Sequence, residues 1–259
     1  MSTEYQEVVD GGTTPILSLR HISKYFGGVQ ALSNVDMDIW PGEVIILVGD
    51  NGAGKSTFLK VISGVNIPEE GEIFHKGKPV VIRNTLDPVK LGIQTVYQDL
   101  ALCDNLDIVQ NMFLGREITK NGCLNHSEME RIAEECLRDL GIEVASVRTK
   151  VGDLSGGQRQ TVAIPRAMLG APEVVLLDEP YASLGIPQRE QVNNLVLKLK
   201  AKNVGVVLVS HDLAEAFSIA DRVVVFRLGE KTGEILREEL TTEKVVMEIT
   251  GSDSFMDEE

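Results

Sequence analysis

Nine residues, Gly49 to Thr57, read GDNGAGKST, and their types and spacing suit the holding of phosphate. Glycines at 49, 52 and 54 let the backbone turn sharply and aim its N–H groups at phosphate oxygens, and a helix opening at Lys55 adds the positive end of its dipole. The pattern G-x-x-x-x-G-K-[ST] gives Lys55 the β- and γ-phosphates of a nucleotide and gives the Ser56 hydroxyl to Mg²⁺. Asp50, Asn51, Ala53 and Thr57 complete the same cradle. A second element, VVLLDEP, ends an apolar run with Asp178 and Glu179. Asp178 suits the Mg²⁺ shell. Glu179, one residue on and pointing differently because side chains alternate along a strand, suits the orienting or deprotonation of an attacking water. Many strands end in a solvated acidic pair; beside a phosphate loop the pair becomes specific.

These motifs need elements to position them. Ile16 to Ile39 alternates in short apolar pieces and reads as strands of a small sheet, while VIILV, Val44 to Val48, suits a fully buried strand. Lys55 to Ser63 reads as a helix, followed by strands around Glu72 to His75 and Val80 to Ile82. Ser127-x-x-Glu130 spells a capping box, opening a helix with Ile132, Ala133, Cys136, Leu137 and Leu140 on one stripe. From Val174, short apolar runs alternate with a helix that lines up Val192, Leu195, Val196 and Leu199. This is the pattern of an α/β protein with a mainly parallel sheet covered on both faces.

Bulk properties narrow the function. A chain of 259 residues can bury a large core with one inserted subdomain. Its formal charge of −14 and pI near 4.8 weigh against a nucleic-acid partner. Cys103, Cys123 and Cys136 form no C-x-x-C pair, which argues for a reducing compartment without structural zinc or disulfides. The N-terminus lacks the pattern of a signal peptide, and no apolar run approaches the ~20 residues of a membrane span. Residues 1–14 and the acidic residues 251–259 read as tails, the first disordered.

A second glycine loop, LSGGQRQ at Leu154 to Gln160, completes a set. From about Ile16 to the strand at 222–226, the chain resembles the ATP-binding subunits of ATP-binding-cassette transporters, whose signature is LSGGQ. The resemblance implies a P-loop ATPase core with a small antiparallel sheet and an α-helical subdomain inserted at about 99–170, within a cassette spanning about 15–250. It implies ATP and Mg²⁺ as cofactors. It assigns Phe26 to stacking on adenine, with Tyr25 as second candidate, Gln98 to sensing Mg²⁺ and linking core to helical subdomain, and His211 to the γ-phosphate. Catalysis falls to Glu179, His211, Gln98 and Lys55. Ser155, Gly156, Gly157 and Gln158 would serve the ATP of the other subunit in a head-to-tail dimer, and Ser155-x-x-Gln158 spells the capping box of a helix able to offer those donors.

Within that family the segments ISKYFGGVQAL, NMFLGRE and DEPYASLG are most similar to those of monosaccharide importers. The resemblance therefore implies an ATPase at the cytoplasmic face of the membrane, peripheral, paired with itself or another cassette. It would be joined to integral membrane permease subunits and indirectly to a solute-binding protein. The surface from Gln98 through Leu102 to Leu114 would face a helix of the permease. Three residues depart from the family pattern: Pro165 in the signature helix, which is expected to kink or end it, Tyr181 where threonine or serine is usual, and Gly185 where many cassettes have aspartate. The first two motivate an alternative reading, a regulatory module with little turnover; a non-transport cassette acting on DNA or the ribosome is a third.

Overall fold

The apolar run at Val44 to Val48 forms the centre of the molecule. A computed structural model describes residues 14–182, 184–211 and 217–251; most of both expected tails lies outside them. The chain opens with β1 (Leu17–Phe26), β2 (Val29–Ile39), β3 (Val44–Val48) and α1 (Lys55–Ile62). Next come β4 (Glu70–His75), β5 (Lys78–Val80), the short α2 (Leu86–Lys90) and β6 (Ile93–Val96). A largely helical stretch follows, with α3 (Ile108–Phe113), the hairpin β7 (Thr119–Lys120) and β8 (Cys123–Leu124), α4 (His126–Asp139) and α5 (Gly156–Met168). The chain then returns to alternation through β9 (Val174–Asp178), α6 (Ile186–Ala201), β10 (Gly205–Val209) and β11 (Arg222–Arg227). It closes with β12 (Glu230–Leu236) and α7 (Thr242–Thr250).

Six strands form the main sheet in the order β12-β11-β3-β10-β9-β6, all pairs parallel except the β11–β12 edge. Every residue of β3, β9 and β10 is buried, as strands covered on both faces require. The pleat of β3 divides its side chains between two cores. Ile45 and Leu47 join α1 and the antiparallel sheet β2-β1-β4-β5, with Phe58 and Phe226 at a ring separation of 5.4 Å. Val44, Ile46 and Val48 join α5 and α6. A third cluster, from Ile108 to Val162, packs α3 and α4 on α5.

Three local expectations are corrected. Residues 81 and 82 lie beyond β5, whose pairing ends at Ile73 opposite Val80 before the chain turns toward α2. Helix α4 starts before Ser127, because Asn125 is an equally good cap and accepts the Glu128 N–H at 3.3 Å. Glu130 is then free to pair with Arg148 at 2.6 Å, and the earlier start brings Met129 into the core. Helix α5 does not end at Pro165. It runs on to Met168 with the proline buried, and the Pro165 carbonyl accepts from Leu169 N–H at 3.2 Å. The pyrrolidine deprives the Thr161 carbonyl of its usual donor, while its own burial and the next turn offset that loss.

One buried ion group joins the small sheet to the main one. Arg222, 5% exposed, donates to Glu43 Oε1 at 2.5 Å, to Glu234 Oε1 at 2.7 Å and to the Asp38 carbonyl. Breaking a buried pair strands a charge. Glu43→Ala is therefore expected to lower the unfolding free energy by about 3 kcal/mol, with a smaller loss for the more exposed Glu234→Ala; urea titrations of both variants check the order.

Candidate active site

Register assembles the site. Leu47 of β3 pairs with Val209 of β10, and Val209 pairs with Asp178 of β9. The carboxyl ends of three parallel strands thus lie flush, and the chain leaving each one reaches the same edge, where open α/β sheets bind their ligands.

From β3 comes the glycine loop. Gly49 has φ +139°, and a Cβ there would stand 2.1 Å from the Phe226 carbonyl oxygen, so no side chain fits. Gly54, at φ +109°, caps α1 without any side-chain acceptor, whereas Asp107, Asn125, Ser155 and Thr241 each cap their helices with one. The first amides of α1 are left open to an anion. Asn51 and Gly52 are exposed on the rim, Ala53 is buried, and Thr57 is half-buried in the first turn of the helix. Lys55 is buried, with its ammonium donating to the carbonyls of Gly49 at 2.7 Å and Asp50 at 2.9 Å. Burial lowers its proton affinity, opposed by the charges of Glu179, Asp50 and Asp178.

From β9 come the carboxylates. The Ser56 hydroxyl stands 3.4 Å from Asp178 Oδ1, so two hard oxygen donors converge, as Mg²⁺ prefers. Burial pushes the Asp178 carboxyl above its ordinary value. Glu179 does point away from Asp178, but for a different reason than strand alternation: β9 ends at Asp178, and Glu179 has a left-handed backbone at φ +52°. Its N–H donates to the Val209 carbonyl at 3.1 Å, and its Oε1 meets His211 Nε2 at 2.7 Å. Burial raises the Glu179 carboxyl as well; Asp178 adds to this, while His211 and Lys55 act against it.

His211 follows β10 with its side chain about half exposed. A groove of about 240 Å³ runs between Gly49, Asp50, Asn51, Ser210 and His211, walled by Ile249 of α7, a contribution that no motif announced. Gln98 lies exposed two residues beyond β6, which pairs Val96 with Leu177 beside Asp178. Phe26 sits at the tip of the β1–β2 hairpin, 50% exposed, with Lys24 Nζ 5.3 Å from its ring centroid. Tyr25 is less exposed, and its hydroxyl accepts from Gln30. That hairpin abuts the glycine loop, since the Ala31 carbonyl lies 2.9 Å from where a Gly54 Cβ would be.

The second glycine loop lies apart from this groove, none of whose lining residues belongs to it. Its capping box is formed in both directions, Ser155 N–H donating to Gln158 Oε1 at 2.9 Å and Gln158 N–H to Ser155 Oγ at 3.4 Å. The two glycines differ. Gly156 is exposed with open space at its Cβ position, whereas a Cβ on the buried Gly157 would meet Gln188 of α6 at 2.2 Å. Arg159 ties the loop's helix to Asp104 at 3.1 Å, and the fully buried Asn111 pins the neighbouring turn through Cys103, Leu106 and Asp107.

A family model described as "ABC transporter" matches residues 32–182. The chain belongs to the ABC transporter family. The fructose import ATP-binding protein FrcA of Rhizobium meliloti is 42% identical, with 92% of this chain and 95% of that protein covered. The xylose/arabinose import ATP-binding protein XylG of Sulfolobus acidocaldarius is 40% identical, with coverages of 91% and 94%. The ribose import ATP-binding protein RbsA 1 of Rubrobacter xylanophilus is 42% identical, but the match takes in only 44% of its length. Among solved structures, the ADP conformation of the ATP-binding cassette MJ1267 superposes with TM-score 0.80 at 28% identity, covering 93% of this chain and all of that one. A dimeric post-hydrolysis cassette, MJ0796 with ADP and Pi, gives 0.73 at 30% identity, with coverages of 85% and 98%. The chain is an ABC ATPase subunit that binds ATP and hydrolyses it in coupling to transport. No helix among the described residues is long and apolar enough to cross a membrane.

The raised Glu179 carboxyl has a measurable sign. With Glu179 as the base for hydrolysis, a carboxyl whose proton affinity is raised in the nucleotide-free protein stays protonated to higher pH, so the acid limb of kcat/KM, which reports the free enzyme, should fall above the ordinary glutamate value of about 4.3. Any residual turnover of Glu179→Gln should lack that limb, as steady-state ATPase assays across pH can check.

Proposed function

We propose that this ABC ATPase powers a sugar importer from the cytoplasmic face of the membrane, acting as one of a pair of cassettes. The observation that carries the pairing is the division of phosphate-binding groups. The glycine loop, Asp178, Glu179 and His211 gather at one sheet edge, while the exposed Gly156 amide and its helix start stand outside that groove. A second cassette would complete each site. In this reading Phe26 stacks on adenine, and the loop amides with Lys55 hold the phosphates. Ser56, Asp178 and Gln98 hold or sense Mg²⁺, which supplies charge neutralisation at the β- and γ-phosphates. Glu179 takes a proton from the attacking water, His211 orients the γ-phosphate, and Ser155 to Gln158 serve the partner's nucleotide.

Sugar as the solute is supported by the fructose, xylose/arabinose and ribose importers among the relatives. A regulatory module with little turnover would follow from a signature helix broken at Pro165, and α5 runs through that residue. The acidic balance counts against a cassette on nucleic acid.

For the permease, the supporting feature is a cleft of about 140 Å³ lined by Gln94, Tyr97, Leu100, Arg116 and Arg166. Among the described residues neither arginine has a carboxylate partner. The Arg116 guanidinium donates to the Arg166 carbonyl, and burial together with the Arg166 charge lowers its proton affinity. Arg116→Glu should therefore abolish copurification with the permease while the isolated subunit keeps its ATPase activity; equal loss of both counts against the assignment. Asp104, although exposed, is a poor probe of this surface because its reversal also breaks the Arg159 pair.

The shared site is tested by mixing Lys55→Ala subunits with Gly156→Asp subunits. Each variant alone should be nearly inactive, the second because a carboxylate faces the γ-phosphate; open space at Gly156 lets the substitution fold. A mixed dimer holds one site with both lesions and one with neither, so activity should return. If ATP-dependent cross-linking between cysteines placed at Asn51 and Gly156 of different subunits is also missing, a silent mixture rejects the shared site.

A further inference from the structure

Behind the Glu179–His211 contact, the two chain segments that carry those residues are joined a second time. Tyr181 follows Glu179 by two positions and is 4% exposed, in the core cluster that includes Leu184, Val192 and Ile219. Its hydroxyl donates to Asn193 Oδ1 at 2.5 Å, and Asn193 is a buried residue of α6. The other end of that amide, Nδ2, donates to Ser218 Oγ at 3.2 Å. Ser218 belongs to the connection that leaves β10 through His211 and returns as β11. One amide of α6 therefore links the turn after Glu179 to Ser218, ahead of β11, a tie additional to the 2.7 Å contact between Glu179 and His211.

The turn being held is the one that aims Glu179. Its left-handed backbone is closed on one side by Val209 and on the other by the Ala182 N–H, which donates to the Glu179 carbonyl at 3.1 Å. Tyr181 lies inside that turn. On the opposite side the buried Gln160 of the signature helix donates to the Pro180 carbonyl at 3.1 Å, so the turn is gripped from α5 and from α6. A threonine at position 181 carries its hydroxyl directly on Cβ and cannot span the reach of a phenol; this bridge follows from the tyrosine.

We infer that the Tyr181–Asn193–Ser218 bridge positions Glu179 against His211 for ATP hydrolysis, with Tyr181 as a positioning residue and not a group that touches the nucleotide. The inference rests on the assignment of Glu179 and His211 to hydrolysis. A carboxylate released from a sparsely populated backbone state spends less time in its working geometry, which costs turnover more than nucleotide affinity.

The test is a kinetic cycle on the full-length protein. Tyr181→Phe keeps the ring and removes the hydroxyl that donates to Asn193, and Ser218→Ala removes the far end of the bridge from an exposed position. Each should lower kcat about tenfold with the KM for ATP within about twofold, and the double variant should lose no more than either single one, because the parts act as a unit. In a Glu179→Gln background Tyr181→Phe should have no further effect. Unchanged kcat, equal changes in kcat and KM, or additive losses overturn the bridge as a positioning device and leave it a packing contact. If Glu179→Gln alone keeps normal turnover, the assignment beneath the inference fails and the inference falls with it. These two failures are told apart by the Glu179→Gln measurement itself.

Discussion

The parallel register that sets Leu47, Val209 and Asp178 side by side governs the rest of the molecule. Three strands end flush, and three short exits from them deliver an ammonium, a carboxylate pair and an imidazole to one edge. Because strand side chains alternate, a slip of one residue in any of these pairs would turn a buried face to the opposite layer. The two cores on either side of β3, one with α1 and the small sheet and the other with α5 and α6, both oppose such a slip. Packing far from the groove thereby sets distances within it.

Charge is concentrated at that edge in an unbalanced way. Asp50, Asp178 and Glu179 all act on Lys55, and burial penalises the charged forms of Lys55, Asp178 and Glu179 alike. Phosphates brought here meet carboxylates as well as the ammonium and the loop amides. On the proposed reading such a site suits an anion that arrives with positive charge of its own, which gives a physical sense to the Ser56 hydroxyl and the Asp178 carboxylate facing each other.

The glycine loop, the acidic pair, the buried strands and the capping box at Ser155 were legible because each is a local pattern whose neighbours in sequence are its neighbours in space. The direction of Glu179 was legible but its cause was not: alternation and a left-handed turn both send it away from Asp178, and only the backbone angle distinguishes them. Ile249 in the groove, Asn193 beneath Tyr181 and the Asp104–Arg159 pair depend on contacts between distant segments and leave no short-range signal. Asn125 against Ser127 shows a different limit, since two good caps two residues apart leave the helix start to be decided by what its first turn can bury.

The uncapped start of α1 has a consequence for the stability of the protein as well as for its chemistry. Four helices carry their own acceptor, whereas α1, like α2 and α6, has none, and at the glycine loop its first amides are left to be satisfied from outside. Nucleotide that binds only the folded chain adds to its stability, by about 2.7 kcal/mol at a hundred times the dissociation constant. The amides left open at the start of α1 thus tie the stability of the fold to the occupancy of its phosphate site.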